Sequence, residues 1–283
     1  MSIKDITVVI TSFKSEDKIR KCLNSIDNQC TVINVENSNS QDHKNKIEKE
    51  FKNVKCILTG ENLGYARANN IGIKNSKTKY VLILNPDTKL FPETLKNFLN
   101  AAQKHPDFGI MAPNIAISES KNKILNSPVN SLTSVESVKG YAMFLNLQQF
   151  KNIGFFDENF FIYLEEIDLC KRLIKNGKKI YIDSKIEIFH EGGESHDISI
   201  NFEMELSRNW HWMWSKFYFQ KKYHGYLYSL MGSIPRFLST IFKIALYSLL
   251  FNKKKVLIYF FRLRGITSAI LGQKSWYRPK IKS

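Results

Sequence analysis

Short apolar runs alternate along the first part of the chain with longer stretches in which apolar residues recur every three or four positions. Ile6–Thr11 (ITVVIT), Val32–Glu36, Val54–Leu58 and Tyr80–Leu84 (YVLIL) are compact, mainly apolar runs, as expected of strands covered on both faces. Between them, Ser15 caps a helix through about Asn28, with Glu16 and Asp17 in its dipole-favoured first turn. Gln41–Lys52 reads as a polar helix, Tyr65–Asn75 as a helix entered through Gly64, and Pro92 starts a helix running to about Lys104. Strand–helix alternation predicts βαβ units and a mostly parallel central sheet. In such sheets the ligand crevice lies at the carboxyl ends of the strands. The loops after Ile10, Val35, Leu58 and Leu84 are therefore expected to face one cleft.

The pattern then loosens. Phe108–Ile117 and Val138–Leu147 read as strands separated by a Ser/Asn/Pro-rich loop. Glu165–Asn176 is a helix stopped by Gly177. Lys179–Asp183 and Ile186–His190 form two more strands, and beyond Gly192-Gly193 the chain becomes helical and aromatic. The 283 residues, 43% of them hydrophobic, suffice for one large α/β domain with an appendage. The expected division is residues 1–205, with two halves near 1–105 and 106–205, followed by a helical tail, 206–283.

Charge sharpens that boundary. Residues 206–283 hold ten lysines, five arginines and no acid, a charge of +15 out of +16 for the whole chain. A near-neutral domain joined to a cationic, aromatic tail implies an anionic partner surface, either phospholipid or nucleic acid. Cys22, Cys30, Cys56 and Cys170 show no Cys-x-x-Cys spacing and read as reduced, buried thiols of a cytosolic protein. The apolar run near the N-terminus is too short for a signal sequence.

Five polar segments follow strands or open helices. Asn85-Pro86-Asp87 places a carboxylate at a strand end, where it can hold a divalent cation beside a diphosphate, though Asn-Pro-Asp is also an ordinary turn. Glu36-Asn37-Ser38 can hydrogen-bond a base and ribose, or merely cap the next helix. In Asn62-Leu63-Gly64-Tyr65-Ala66-Arg67-Ala68-Asn69-Asn70, Gly64 permits close backbone approach where a helix N-terminus favours phosphate. Arg67 opposes the dipole there, which hints at a role outside the helix, although a plain surface arginine fits too. Glu165-Glu166-Ile167-Asp168 crowds three carboxylates at a helix start. That is good dipole chemistry, and also a place for a general base with a raised pKa. His190, at the head of His190-Glu191-Gly192-Gly193-Glu194-Ser195-His196, is a metal ligand, a diphosphate donor or a structural histidine.

Taken in order, these segments resemble inverting glycosyltransferase family 2, in particular its bacterial rhamnosyltransferase-like branch. The resemblance runs from Val8-Val9-Ile10-Thr11-Ser12-Phe13 through Leu84-Asn85-Pro86-Asp87 and Phe156-Asp157-Glu158-Asn159-Phe160-Phe161 to His190-Glu191-Gly192-Gly193-Glu194-Ser195. It implies a GT-A-type α/β fold and transfer of a sugar, rhamnose from dTDP-L-rhamnose or a hexose from a UDP-sugar. The implied acceptor is a glycan or lipid-linked glycan of a bacterial cell-surface polysaccharide. Thr11, Ser12 and Glu36 would line the base and ribose pocket. Phe13, Asn37, Asn62, Gly64, Arg67, Asn69 and Asn85 would complete the nucleotide-sugar site, with Arg67 near the diphosphate. Asp87, with His190, would bind Mg2+ or Mn2+, and Glu166 would be the acceptor-activating base with Glu165 and Asp168 beside it. The chain has Glu36, Asn85 and Glu166 where the family more often has Asp, which leaves Asp87 as the main ligand and the base open among the three acids.

In the tail, the run Phe237–Phe251 is broken by Lys243 and is shorter than the roughly 20 residues that a membrane span needs. Aromatic, aliphatic and basic residues without acids describe amphipathic helices in a membrane interface. The reading is a cytoplasmic enzyme, peripheral on the inner face of the plasma membrane. A helical subdomain or homodimer interface is the alternative. A nucleic-acid binder is disfavoured because residues 1–205 are neutral and carry no recognition motif, and a non-catalytic scaffold because Asp87, Glu166 and His190 are all present.

Overall fold

A computed structural model describes residues 1–117, 132–192 and 198–279. The chain packs as two compact units. The first comprises Met1–Leu63, Arg67–Phe156 and Glu166–Asp197, and the second Gly64–Ala66, Asp157–Glu165 and Ile198–Ser283.

In the first unit, strands β1 (Ile6–Ser12), β2 (Thr31–Glu36), β3 (Val54–Leu58) and β4 (Tyr80–Leu84) alternate with helices α1 (Glu16–Leu23), α2 (Gln41–Glu50) and α3 (Tyr65–Asn75). There follow β5 (Thr88–Leu90), α4 (Thr94–Lys104), β6 (Phe108–Ile117), β7 (Leu132–Ser134), β8 (Ala142–Asn146), α5 (Glu165–Lys175) and β9 (Lys179–His190). The sheet order is β3-β2-β1-β4-β8-β6-β9-β5, with β7 on β9. The expected parallel arrangement holds from β3 to β4. Beyond β4 the pairings are mixed: β8 is antiparallel to β4 and β6, while β6 and β9 run parallel. β4 is buried at every position because helices and neighbouring strands cover both faces. A packed aromatic group, in which Phe144 lies 4.8, 5.1 and 5.6 Å from Phe98, Tyr80 and Phe108, fills one side.

Several boundaries move. α1 ends at Leu23 rather than near Asn28, because the Ser25 hydroxyl donates to the Cys22 carbonyl at 2.6 Å and accepts from the Leu90 amide. α2 stops at Glu50, where Phe51 is already extended. α4 begins two residues after Pro92, with Thr94 bonded to the Phe91 amide and the Glu187 carbonyl. The expected strand 138–147 shortens to β8. The two expected strands 179–183 and 186–190 are one, β9, whose register against β6 shifts where the Asp183 carboxylate accepts the Lys185 amide. β5 pairs with the end of β9 and was not visible in the sequence pattern.

The second unit is built on α6 (Asn201–His224), α7 (Tyr226–Leu249) and α8 (Lys253–Ile270). Trp210, Trp214, Phe217, Ala269 and Tyr277 form its core. Gly265 lets α8 approach α6, since a Cβ there would collide with the Trp210 carbonyl. The apolar run expected at 237–251 is the second half of α7, which continues through Pro235. Segment 157–165 packs within this unit: the Phe161 ring stacks on His211 at 4.2 Å, and Ser215 donates to the Ile162 carbonyl. No described helix is long and apolar enough to cross a membrane. All four cysteines are free and buried, and burial pushes each thiol up to about 12.

Candidate functional site

The strand order reverses direction between β1 and β4, which places the ends of both beside one another: Ile10 is opposite Leu84. This is the position at which doubly wound sheets open a ligand crevice. On the other side of β1, Ser12 is opposite Glu36, and both are buried. The Glu36 carboxylate accepts from Ser12 Oγ at 2.5 Å and from Ser38 Oγ at 2.8 Å. Ser12 Oγ accepts in turn from Asn34 Nδ2 at 2.7 Å, and Asn34 Oδ1 lies 3.2 Å from His43 Nε2. His43 Nε2 is also 3.7 Å from Glu36 Oε2. These bonds fix the orientation of Glu36.

Asn34 and His43 were missed by the sequence reading. The available signals were an asparagine inside the otherwise apolar strand VINVE and a histidine one helical turn before Ile47. Asn37 joins the same corner: its amide donates to the Ser12 carbonyl at 2.8 Å and its side-chain oxygen accepts from Leu63, next to Asn62. Thr11 Oγ1 is buried with no hydrogen-bond partner among the described residues. Phe13 follows at the strand end, half-buried.

After β4, the Asn85 amide donates to the Tyr141 carbonyl at 2.9 Å, and Thr88 returns its amide and hydroxyl to the Asn85 carbonyl. Asp87 is thereby held in a tight turn and is only 4% exposed. Its Oδ2 is 3.5 Å from His190 Nε2, while Oδ1 is buried and has no hydrogen-bond partner among the described residues. His190 is placed by the pairing of β9 with β5, opposite Thr88, and by stacking on Tyr141 at 4.4 Å and 12°. The next amide, of Glu191, donates to the Asp87 carbonyl, and the Glu191 carboxylate pairs with Lys18. Residues 193–197, with the rest of the expected glycine-rich segment, lie outside the described residues. No three His, Cys, Asp or Glu side chains converge among the described residues. Asp87 and His190 fit a hard divalent cation when a diphosphate supplies further oxygens, and the orphaned Oδ1 is the atom that would bind it.

Of the three acids that open α5, Glu165 is buried, Glu166 is half-buried and Asp168 is fully buried. Asp168 accepts from Arg172 Nε at 2.8 Å, and the arginine's terminal nitrogens donate to the Ile153, Gly154 and Phe155 carbonyls. Asp168 therefore orients the arginine that closes the 153–155 turn. Tyr163 and Leu164, directly ahead of these acids, both have left-handed backbones, at φ 75° and 70°. Such non-glycine residues cost about 1 kcal/mol or more each and mark places where surrounding structure over-determines the chain.

The α3 motif divides by role. Arg67 is exposed in the first turn, and Asn69 is buried. Asn70 holds the Phe156 peptide from both sides, donating to its carbonyl at 2.9 Å and accepting from its amide at 3.0 Å. Gly64 has φ 84°, and a Cβ there would strike the Phe161 backbone and ring. The Tyr65 amide donates to the Phe161 carbonyl at 2.7 Å. The close approach that Gly64 permits is thus to Phe161, and the first amide of α3 is committed to that carbonyl instead of a phosphate.

The model of the family "Glycosyl transferase family 2" matches residues 7–171. The chain is 27% identical over 192 residues to the low-salt glycan biosynthesis hexosyltransferase Agl10 of Haloferax volcanii, covering 60% of this chain and 62% of Agl10, less than two thirds of that relative's length. It is 24% identical over 208 residues to the N-acetylglucosaminyl-diphospho-decaprenol L-rhamnosyltransferase of Mycobacterium tuberculosis, covering 58% of this chain and 67% of that protein. A solved structure of the mannosyltransferase PcManGT from Pyrobaculum calidifontis, in complex with GDP-Man and Mn2+, superposes with a TM-score of 0.58 at 10% identity, covering 95% of this chain and 88% of that one.

Proposed function

The chain belongs to glycosyltransferase family 2, and on that premise we propose that it transfers a sugar from a nucleoside diphosphate to a hydroxyl of a lipid-linked glycan, inverting the anomeric carbon. dTDP-L-rhamnose is the first donor, a choice supported by the mycobacterial relative named for L-rhamnosyl transfer. A UDP-hexose is the second, supported by the hexosyltransferase relative. The observation that carries the proposal is Asp87: a buried carboxylate at the β1–β4 crevice with one oxygen against His190 and the other without a partner among the described residues.

Ser12, Thr11 and Glu36 bind the base and ribose, with Glu36 pre-oriented by its two hydroxyl donors. Asp87 and His190 would hold Mg2+ or Mn2+, a role supported by the Mn2+ in the Pyrobaculum complex. Such an ion neutralises charge on the departing diphosphate. Arg67 adds a second cation. Glu166 accepts the proton of the acceptor hydroxyl as its oxygen bonds to the anomeric carbon and the bond from that carbon to the diphosphate oxygen breaks. Asp168, engaged by Arg172, positions the turn ahead of that helix. We assign the helical unit to an anionic phospholipid surface, where a lipid-linked acceptor resides.

A donor screen that measures nucleoside diphosphate release with Mn2+ present tests the reading. Asp87→Asn is expected to lower kcat about 10³-fold, in line with the several kcal/mol that metal-assisted charge stabilisation supplies. Glu166→Gln is expected to lower it about 10²–10⁴-fold, the usual range for a general base. Near-normal turnover in Asp87→Asn, or no nucleotide release from any donor by the native chain, would overturn the proposal.

A further inference from the structure

The helical unit contains a cavity of about 480 Å³ that the reading above does not use. One face of α6 supplies Glu205, Arg208, Asn209 and Trp212, spaced so that they share that face. Arg262 enters from α8, and Tyr163, in its left-handed backbone, enters from the segment that leads into α5. The Tyr163 ring meets Trp212 edge-on at 5.5 Å and 89°, and Trp212 remains 38% exposed. Arg262 is aimed by a 2.6 Å bond from its Nε to Asn209 Oδ1, which engages one of the five N–H donors of a guanidinium. The pocket's carboxylate, Glu205, is paired with Lys254 at 3.3 Å, and Lys216 lies over the Trp212 ring at 5.5 Å. The lining thus holds two guanidinium groups and one carboxylate around an aromatic ledge.

From this we propose that the cavity is a binding site for a phosphorylated sugar. Arg208 and Arg262 take the phosphate as charge-assisted donors, and the Trp212–Tyr163 ledge takes the apolar face of the pyranose. Aromatic rings alone suit any planar or apolar group, and arginines alone suit any anion. The two side by side select a molecule that carries both features within one sugar length. Taking this site as the acceptor's rests on the glycosyl-transfer reading.

The test is isothermal titration of the full chain with α-D-glucose 1-phosphate, compared with glucose, inorganic phosphate, dTMP and anionic phospholipid vesicles that lack sugar. Glucose 1-phosphate should bind more tightly than glucose or phosphate, and Arg208→Gln, Arg262→Gln and Trp212→Leu should each weaken it. Loss of a charge-assisted hydrogen bond predicts about a tenfold or larger effect for each arginine. Phosphate or dTMP binding as tightly as the sugar phosphate would overturn the proposal. So would vesicles competing with the sugar phosphate for Arg208, or all three variants, folded by circular dichroism, binding like the native chain. Titration needs no turnover, so it decides the pocket even if no donor proves to be a substrate. Where a donor is found, the arginine variants should raise the acceptor KM. An unchanged acceptor KM would remove the acceptor assignment.

Discussion

At the scale of single residues, the candidate side chains are held in place by hydrogen bonds from their near neighbours. Glu36 is fixed by Ser12 and Ser38, and Asp87 by the turn that Thr88 closes on Asn85. Gly64 is the sharpest case of a residue whose role changed between sequence and structure. Its φ of 84° is unfavourable for any residue with a Cβ, and the added carbon would meet the Phe161 carbonyl and ring. Gly64→Ala should therefore destabilise the helical unit, which contains both Gly64 and Phe161, by about 2 kcal/mol or more. All four tryptophans, at 210, 212, 214 and 276, belong to that unit, so urea unfolding followed by tryptophan emission reports on it directly. A midpoint equal to that of the native chain would show that the Phe161 contact is not what demands glycine. The sequence alone showed a glycine before a helix and suggested phosphate, because the partner carbonyl lies almost a hundred residues away.

At the scale of elements, strands and helices with strong apolar periodicity were legible, and those set by pairing were not. β3, β4 and β6 match the expected spans because each is a mainly apolar run bounded by polar residues, and α3 does because Gly64 marks its start. β5 is three residues long and exists because β9 is there to pair with it. α1 ends early through one serine hydroxyl. The Asp87 and Glu36 loops were legible because both follow such dense strands; the Asn34–His43 support was not, because it is a contact between a strand and the next helix. In the helices, a buried titrating group gives a further test. His211 on α6 is enclosed, with Nε2 2.9 Å from the Tyr277 carbonyl and Nδ1 3.1 Å from Ser275 Oγ. Burial, reinforced by Arg278, lowers its pKa from 6.5 to about 3, against the opposing pull of the Tyr277 carbonyl. Below pH 6.5 the unfolded chain binds a proton that the folded chain refuses, so stability falls as pH drops. This group should cost the helical unit about 2 kcal/mol on going from pH 7.5 to pH 5. His211→Asn should flatten that slope in tryptophan-monitored unfolding, and an identical slope in the variant would assign the pH response elsewhere.

At the scale of the whole molecule, charge separates the two units, and exposed apolar surface separates them again. α7 presents Leu227, Met231, Leu238 and Phe242 at 60–71% exposure. It ends in Leu249, Leu250 and Phe251 at 78%, 62% and 90%, immediately before the exposed Lys253, Lys254 and Lys255. An apolar tip followed by three lysines suits insertion into an anionic interface, with the two leucines and the Phe251 ring in the acyl boundary and the ammonium groups at the phosphates. Self-association through the same face would bring together two segments of +15 each, a repulsion that anionic lipid relieves instead. Binding to vesicles with anionic headgroups should therefore exceed binding to neutral ones. It should weaken steeply between low and physiological salt, because surface charges are screened beyond about 8 Å at 0.15 M. Replacing the three lysines by glutamine should remove about 1 kcal/mol of attraction per charge. Leu250→Ser with Phe251→Ser should weaken binding at least tenfold even at high salt, since each side chain contributes roughly 1.5–3 kcal/mol when fully buried. If the serine pair binds vesicles as well as the native chain does, the tip is not the insertion point. If the native chain sediments as a dimer without lipid, and the serine pair as a monomer, the face belongs to a second copy of the chain rather than to the membrane.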